Sequence, residues 1–163
     1  MHGNINTILN SSLGSALLGS LVGGLITWLA TSRSLNKQFE YQKSVSDKER
    51  TKKLIEALVS VKSEVKSNVK NLDNFTSGME DSIISLKEDL FSDDKFRKYR
   101  DIIEIEKGEE FIDEISKCFE GMYRLCNMED LVYIFVKPPI NQGKKIQEIL
   151  EKEIEVQRKI MSK

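Results

Sequence analysis

The 163-residue chain carries no Asp, Glu, Lys or Arg before Arg33, so all 25 basic and 26 acidic side chains fall at or after Arg33. This partition is how a membrane segment joined to a soluble domain reads. Within the uncharged part, Leu13 to Ala30 is a run of 18 Leu, Val, Ile, Ala, Gly, Ser, Thr and Trp residues, and its flanks let it lengthen toward Asn10 and Ser32. At about 1.5 Å of rise per residue, roughly 20 residues cross a bilayer core of about 30 Å. Residues 1–32 are therefore expected to form a transmembrane anchor.

A cleavable signal peptide is the rival, because Ala30-Thr31-Ser32 offers a small-residue cleavage site. Against it, Met1 to Asn4 contains no Lys or Arg, and the positive charge follows the apolar run. Arg33, Lys37, Lys43, Lys48, Arg50, Lys52 and Lys53 outnumber Glu40, Asp47 and Glu49, a local excess of +4 in a chain of net charge −1. Basic residues beside a span stay on the cytoplasmic side. The expected location is a bacterial inner membrane, crossed once, with the N-terminus outside and the C-terminal domain in the cytoplasm. Trp28 suits an interfacial anchor at the cytoplasmic edge.

The span has a pattern of its own. Ser12, Ala16, Ser20 and Gly24 recur every four residues beside Ser11, Ser15, Gly19 and Gly23, so one face is lined by small side chains. Such faces let helix backbones approach closely in lipid, where apolar contact alone gives little drive. Ser12, Ala16, Gly19, Ser20, Gly23 and Gly24 are the expected helix-association residues, and the expected partner is another copy of the chain, with a tetramer as one arrangement. The alternative is that Gly and Ser are merely tolerated in the span.

The rest reads as mainly α. No Pro occurs between Arg33 and Pro138, which permits long helices. Residues 33–72 form a basic connector and amphipathic helix: Leu54, Leu58, Val61, Val65, Asn68 and Leu72 are spaced by four and three, a coiled-coil-like seam that a bundle could equally use. Asn68 would fix register or oligomer state, or mark a frayed end. Residues 73–163 form a helical domain. A turn is expected over Asp73, Asn74, Thr76, Ser77 and Gly78, then a helix face of Met79, Ile83, Leu86 and Leu90. Ser92 before Asp93 and Asp94 is the expected cap of a helix running toward Gly108. A further helix from Glu109 turns Phe111, Ile112, Ile115, Cys118, Phe119, Met122 and Leu125 inward as the core. Leu131 to Val136 is apolar and β-branched, and Ile102 to Glu106 alternates at its end; either is a strand or a buried helix piece. Lys137-Pro138-Pro139 is expected as a turn before a last helix from Gln142 to about Met161.

Catalytic and metal chemistry have little material. The phosphate loop Gly-x-x-x-x-Gly-Lys-Ser/Thr, the Gly-x-Gly-x-x-Gly fingerprint and the Gly-x-Ser-x-Gly elbow are all missing, and His2 is the lone histidine. Acidic pairs such as Glu109-Glu110, Asp113-Glu114 and Glu129-Asp130 suit a solvated helix face. Cys118 and Cys126, about 12 Å apart along one helix, are too distant for a disulfide and read as buried thiols. No enzyme activity, cofactor, metal site or DNA partner is expected.

Two basic clusters are the candidate ligand sites. Lys95-Phe96-Arg97-Lys98-Tyr99-Arg100 puts four cations and two aromatics into six residues of an otherwise acidic region, offering phosphate contacts and stacking through Tyr99. The bland alternative is a solvated basic face with both rings in the core. Asn141-Gln142-Gly143-Lys144-Lys145, with Lys137 close by, would place free N–H groups and two cations at the start of the last helix, an anion site.

Leu13 to Ala30, the basic connector after it and the small charged domain beyond resemble, in order of parts, the small membrane-anchored antiviral effectors of type III CRISPR systems. That resemblance implies a homo-oligomer whose cytoplasmic domain binds a cyclic oligoadenylate and whose membrane helices then perturb the membrane. Phage spanins share the layout, but their soluble part is periplasmic, against the basic flank after Trp28. The other expectation is a passive anchor or scaffold that holds a protein partner at the inner membrane.

Overall fold

The computed structural model describes residues 12–77, 86, 90–128 and 133–162, with side chains from residue 15 onward in the first helix and from residue 134 onward in the last. Among them lie four helices and no strand: α1 (Ser12–Ser77), α2 (Asp94–Lys107), α3 (Glu109–Cys126) and α4 (Tyr133–Met161). The expected positions His2, Ser11, Gly78, Met79, Ile83, Glu129, Asp130, Leu131 and Val132 fall outside the described residues, as do the side chains of Ser12 and Tyr133. The chain divides into two compact units, Met1–Asp47 and Lys48–Lys163.

In the first unit, every described side chain is exposed except Ser32, which is intermediate. Leu21 is 64% exposed and Trp28 65%, so among the described residues nothing covers this apolar surface. The helix contains a segment long and apolar enough to cross a membrane. Its hydroxyls turn back onto the helix, Ser20 Oγ donating to Leu17 O at 2.9 Å and Thr27 Oγ1 to Gly23 O at 2.8 Å. Hydroxyls satisfied in this way can face hydrocarbon without an orphaned donor.

In the second unit, the seam residues Leu54, Leu58, Val61, Val65 and Leu72 are all buried. They pack against the chain's own helices, and the helix runs unbroken through residue 72, so the stretch read as connector supplies much of the core. The turn expected over residues 73–77 is helix. Thr76 Oγ1 and Ser77 Oγ donate to Asp73 O at 2.9 and 2.8 Å, which satisfies turn-forming side chains inside a helix, and Phe75 packs on the core.

Helices α2 and α3 fall where the capping and periodicity signals put them. Gly108 separates them with φ of +87°, a conformation that favours glycine, and its N–H closes α2 onto Glu104 O at 2.8 Å. Ile112, Ile115, Cys118, Phe119, Met122 and Leu125 of α3 are buried as expected. Ile102 to Glu106 lies within α2, so the strand alternative fails there: Ile103 is fully buried and Ile105 72% exposed, a helical rather than an alternating arrangement. Cys118 and Cys126 form no disulfide, and burial pushes the Cys118 thiol up to about 11.

Helix α4 departs most from expectation. Residues 133–136 are helical rather than a strand, and the helix passes through Pro138 and Pro139 instead of starting at Gln142. Each proline removes one helix N–H and restricts the residue before it. Packing overrides that local preference: Val136, Pro139, Ile140, Gly143, Ile146, Leu150 and Ile154 form one buried stripe that continues across the prolines. Ion pairs border it, Lys62 of α1 with Glu151 and Lys107 of α2 with Glu153 at 2.8 Å. Burial works against the Glu153 charge, but hydrogen bonds from Gln157 and Lys107 outweigh it and lower its pKa.

Candidate functional site

The first basic cluster lies on α2 with its two rings divided. Phe96 is buried and stacks on Phe119, centroids 5.2 Å apart and planes 16° apart, so it is core and offers no face to a base. Tyr99 is half-buried, its hydroxyl donating to Glu56 Oε1 at 3.3 Å with Lys98 Nζ 5.0 Å from the ring centroid. The cations Lys95, Arg97, Lys98 and Arg100 are exposed, and two are paired within the helix: Arg97 Nε with Asp93 Oδ2 at 2.7 Å, Arg100 Nε with Glu104 Oε2 at 3.7 Å. The Asp93 hydrogen bond and charge raise the Arg97 pKa. Asp93 also accepts from Tyr123 Oη at 3.2 Å. Burial first, then the Asp93 charge and hydrogen bond, push the Tyr123 phenol up to about 12.

The second cluster lies in the body of α4. Asn141, Gln142, Gly143, Lys144 and Lys145 are preceded by two turns of the same helix, so their amides are not the free N–H groups of a helix start and the expected anion geometry is absent. Gly143 has a different role: a Cβ there would run into Val69 Cγ2 and come within 3.0 Å of Met122 Cε. It admits α1 and α3 to the α4 backbone. Lys144 Nζ pairs with Asp73 Oδ2 at 3.2 Å, while Lys137, Asn141 and Lys145 are exposed and Gln142 is half-buried beside Gly121.

A polar arrangement that the sequence signalled only through Asn68 lies on α1. Glu64 and Asn68 are 4% and 2% exposed in the middle of the apolar seam. Glu64 Oε1 accepts from the Ser92 hydroxyl at 2.8 Å and from Lys95 N–H at 3.0 Å, and its Oε2 accepts from Phe96 N–H at 2.9 Å. A carboxylate borrowed from another helix thus caps α2, where Asp93 makes no side-chain cap and Ser92 Oγ reaches Asp94 N–H only at 3.4 Å. One turn further on, Asn68 Nδ2 donates to Ser92 O at 2.7 Å and its Oδ1 accepts from Ser92 N–H at 3.2 Å; then Asn71 Nδ2 donates to Leu90 O at 2.8 Å. Asn68 is therefore a tether within the chain. The i, i+4, i+7 spacing of Glu64, Asn68 and Asn71 was the available signal, but polar residues on a seam name no partner by themselves.

Beside this tether is a cavity of about 290 Å³ lined by Ser63, Glu64, Ser67, Asn71, Ser92 and Lys95 among others. It includes one cation of the first basic cluster and no residue of the second. At Gly19, Gly23 and Gly24 on the small-residue face of α1, an added Cβ would meet nothing within 4 Å among the described residues. Among the described residues no group of three or more His, Cys, Asp or Glu side chains is placed to hold a metal. No protein-family model, curated protein or solved structure matches this chain.

Proposed function

We propose that the chain is a self-associating, single-pass inner-membrane anchor whose helical domain is a binding platform in the cytoplasm and performs no catalysis. The observation that carries this reading is the exposed apolar surface of α1 between Leu17 and Leu29, which needs lipid and neighbouring helices to cover it. The basic flank from Arg33 to Lys53 sets the orientation. A reporter fused after Lys163 is expected to behave as cytoplasmic, and the purified protein to retain its first 32 residues. A periplasmic reporter, or a mature chain beginning at Arg33, overturns the reading.

A second reading, a membrane effector gated by a nucleotide messenger such as a cyclic oligoadenylate, is favoured by Lys95 on a polar cavity with Ser63, Ser67 and Asn71. The platform ranks first because Arg97, Arg100 and Lys144 already have acidic partners and the two basic clusters share no described cavity. Calorimetry of the full chain in detergent with cyclic oligoadenylates separates the two. The effector reading expects binding that Lys95→Glu weakens; the platform reading expects none.

A further inference from the structure

Ile105 of α2 is the most exposed large apolar side chain described in the second unit, at 72%. A lone exposed isoleucine is ordinary. This one is a ridge between two depressions of opposite character. On one side, Asp101, Glu109 and Glu104, the last paired with Arg100, line an open hollow of about 560 Å³ together with Ile105. On the other, Ile105 and Ile102 floor a mostly apolar hollow of about 270 Å³ with Arg50 and Lys53 at its edge. Glu106 also lines that hollow, and its ion pair with Arg50 holds the guanidinium there.

With Arg50 paired to Glu106, Lys53 carries the positive charge of the second flank, and an apolar ridge between an acidic flank and this cation is complementary to itself. A two-fold axis lying in the plane of the face, along the ridge, lays the acidic flank of one copy over the basic flank of the other, and does so twice. We propose that this face of α2 is the site where the helical domain docks against a second copy of the same chain, Ile105 meeting Ile105 near the axis and Lys53 meeting Asp101 or Glu109 of the other copy. Charge complementarity selects the occupant: an acidic partner would oppose one flank and a basic partner the other. The inference rests on the self-association proposed above and assigns it a surface outside the apolar span, formed by α2 and the Arg50–Lys53 stretch of α1.

The test is oxidative crosslinking of the full chain in detergent, with Ile105→Cys compared against Lys117→Cys, an exposed position on α3 outside both hollows. The wild-type chain, which keeps Cys118 and Cys126, serves as the blank. If copies meet at the ridge, Ile105→Cys forms covalent dimers at least about tenfold faster than Lys117→Cys, because the thiols are held at high effective concentration. Lys53→Glu and Asp101→Lys, each placed in the Ile105→Cys background, should slow the reaction, and the two together should restore it. Equal rates at 105 and 117 in a chain that light scattering shows to be oligomeric overturn this inference and leave the self-association standing. A chain that scatters as a monomer overturns both. Circular dichroism of each variant identifies misfolding, and the 105-against-117 comparison, which keeps every flanking charge, still decides the case.

Discussion

Gly143 shows how much one missing methyl can hold in place. Its Cα faces Val69 Cγ2, a branched group with little rotational freedom, and the flexible end of Met122. Gly143→Ala is expected to destabilise the folded domain by about 1–3 kcal/mol, as overpacking does in a filled core. Gly121→Ala, where the added methyl meets Gln142 Oε1 at an ordinary 3.5 Å, is expected to change stability by less than about 1 kcal/mol. Denaturant titration of the full chain in detergent, followed by circular dichroism, compares the two; equal losses would contradict the assigned role. At this scale the sequence misled for a physical reason. A glycine followed by two lysines is compatible with an anion beside the backbone, and equally with a valine from a helix far back in the chain. Nothing local separates the two.

Among elements, the borrowed cap is the interaction with most at stake. Glu64 satisfies two N–H groups of the first turn of α2 and the Ser92 hydroxyl, so its removal leaves buried donors without acceptors. Glu64→Ala is expected to destabilise by about 1–3 kcal/mol. As a control, Glu120→Ala removes only an exposed pairing with Arg124 at 3.7 Å and should stay below about 1 kcal/mol. The same denaturant titration measures both, and an equal loss at the two positions would show that Glu64 does not act as a cap. Helices α2 and α3 were legible because the apolar period and Gly108 agree on their limits, although Glu64 rather than the expected Ser92 caps α2. The start of α4 was not. The proline rule is local, while the buried stripe that overrides it depends on α1 and α3 lying against Val136, Pro139 and Ile140. The polar tether was likewise half legible: Asn68 stood out on the seam, but its partner Ser92 is set by the tertiary fold.

For the molecule as a whole, the proposed self-association of the span gives a direct prediction. Gly19→Leu with Gly23→Leu fills a face that no described residue of the same copy meets, so the fold of the described helices should be unchanged while association of the span in a membrane two-hybrid assay falls. Undiminished association would mean that the small residues are incidental. Of this part, the segregation of charge made legible a helix long and apolar enough to cross a membrane, because that property rests on composition and not on tertiary contacts. The continuity of α1 also has a consequence in time. Val69 packs at Gly143, 74 residues on, and Lys62 pairs with Glu151, 89 residues on, so the seam on α1 meets its α4 partners only after that much more chain has been made. At roughly 5–20 residues per second of synthesis, that seam spends on the order of 5–20 s without its cover. On the proposed topology the nascent chain would be held beside the membrane during that interval, with bare apolar surface on a helix already inserted. A ribosome that stalls before α4 would leave a membrane-tethered hydrophobic stripe, a natural substrate for chaperones and membrane proteases.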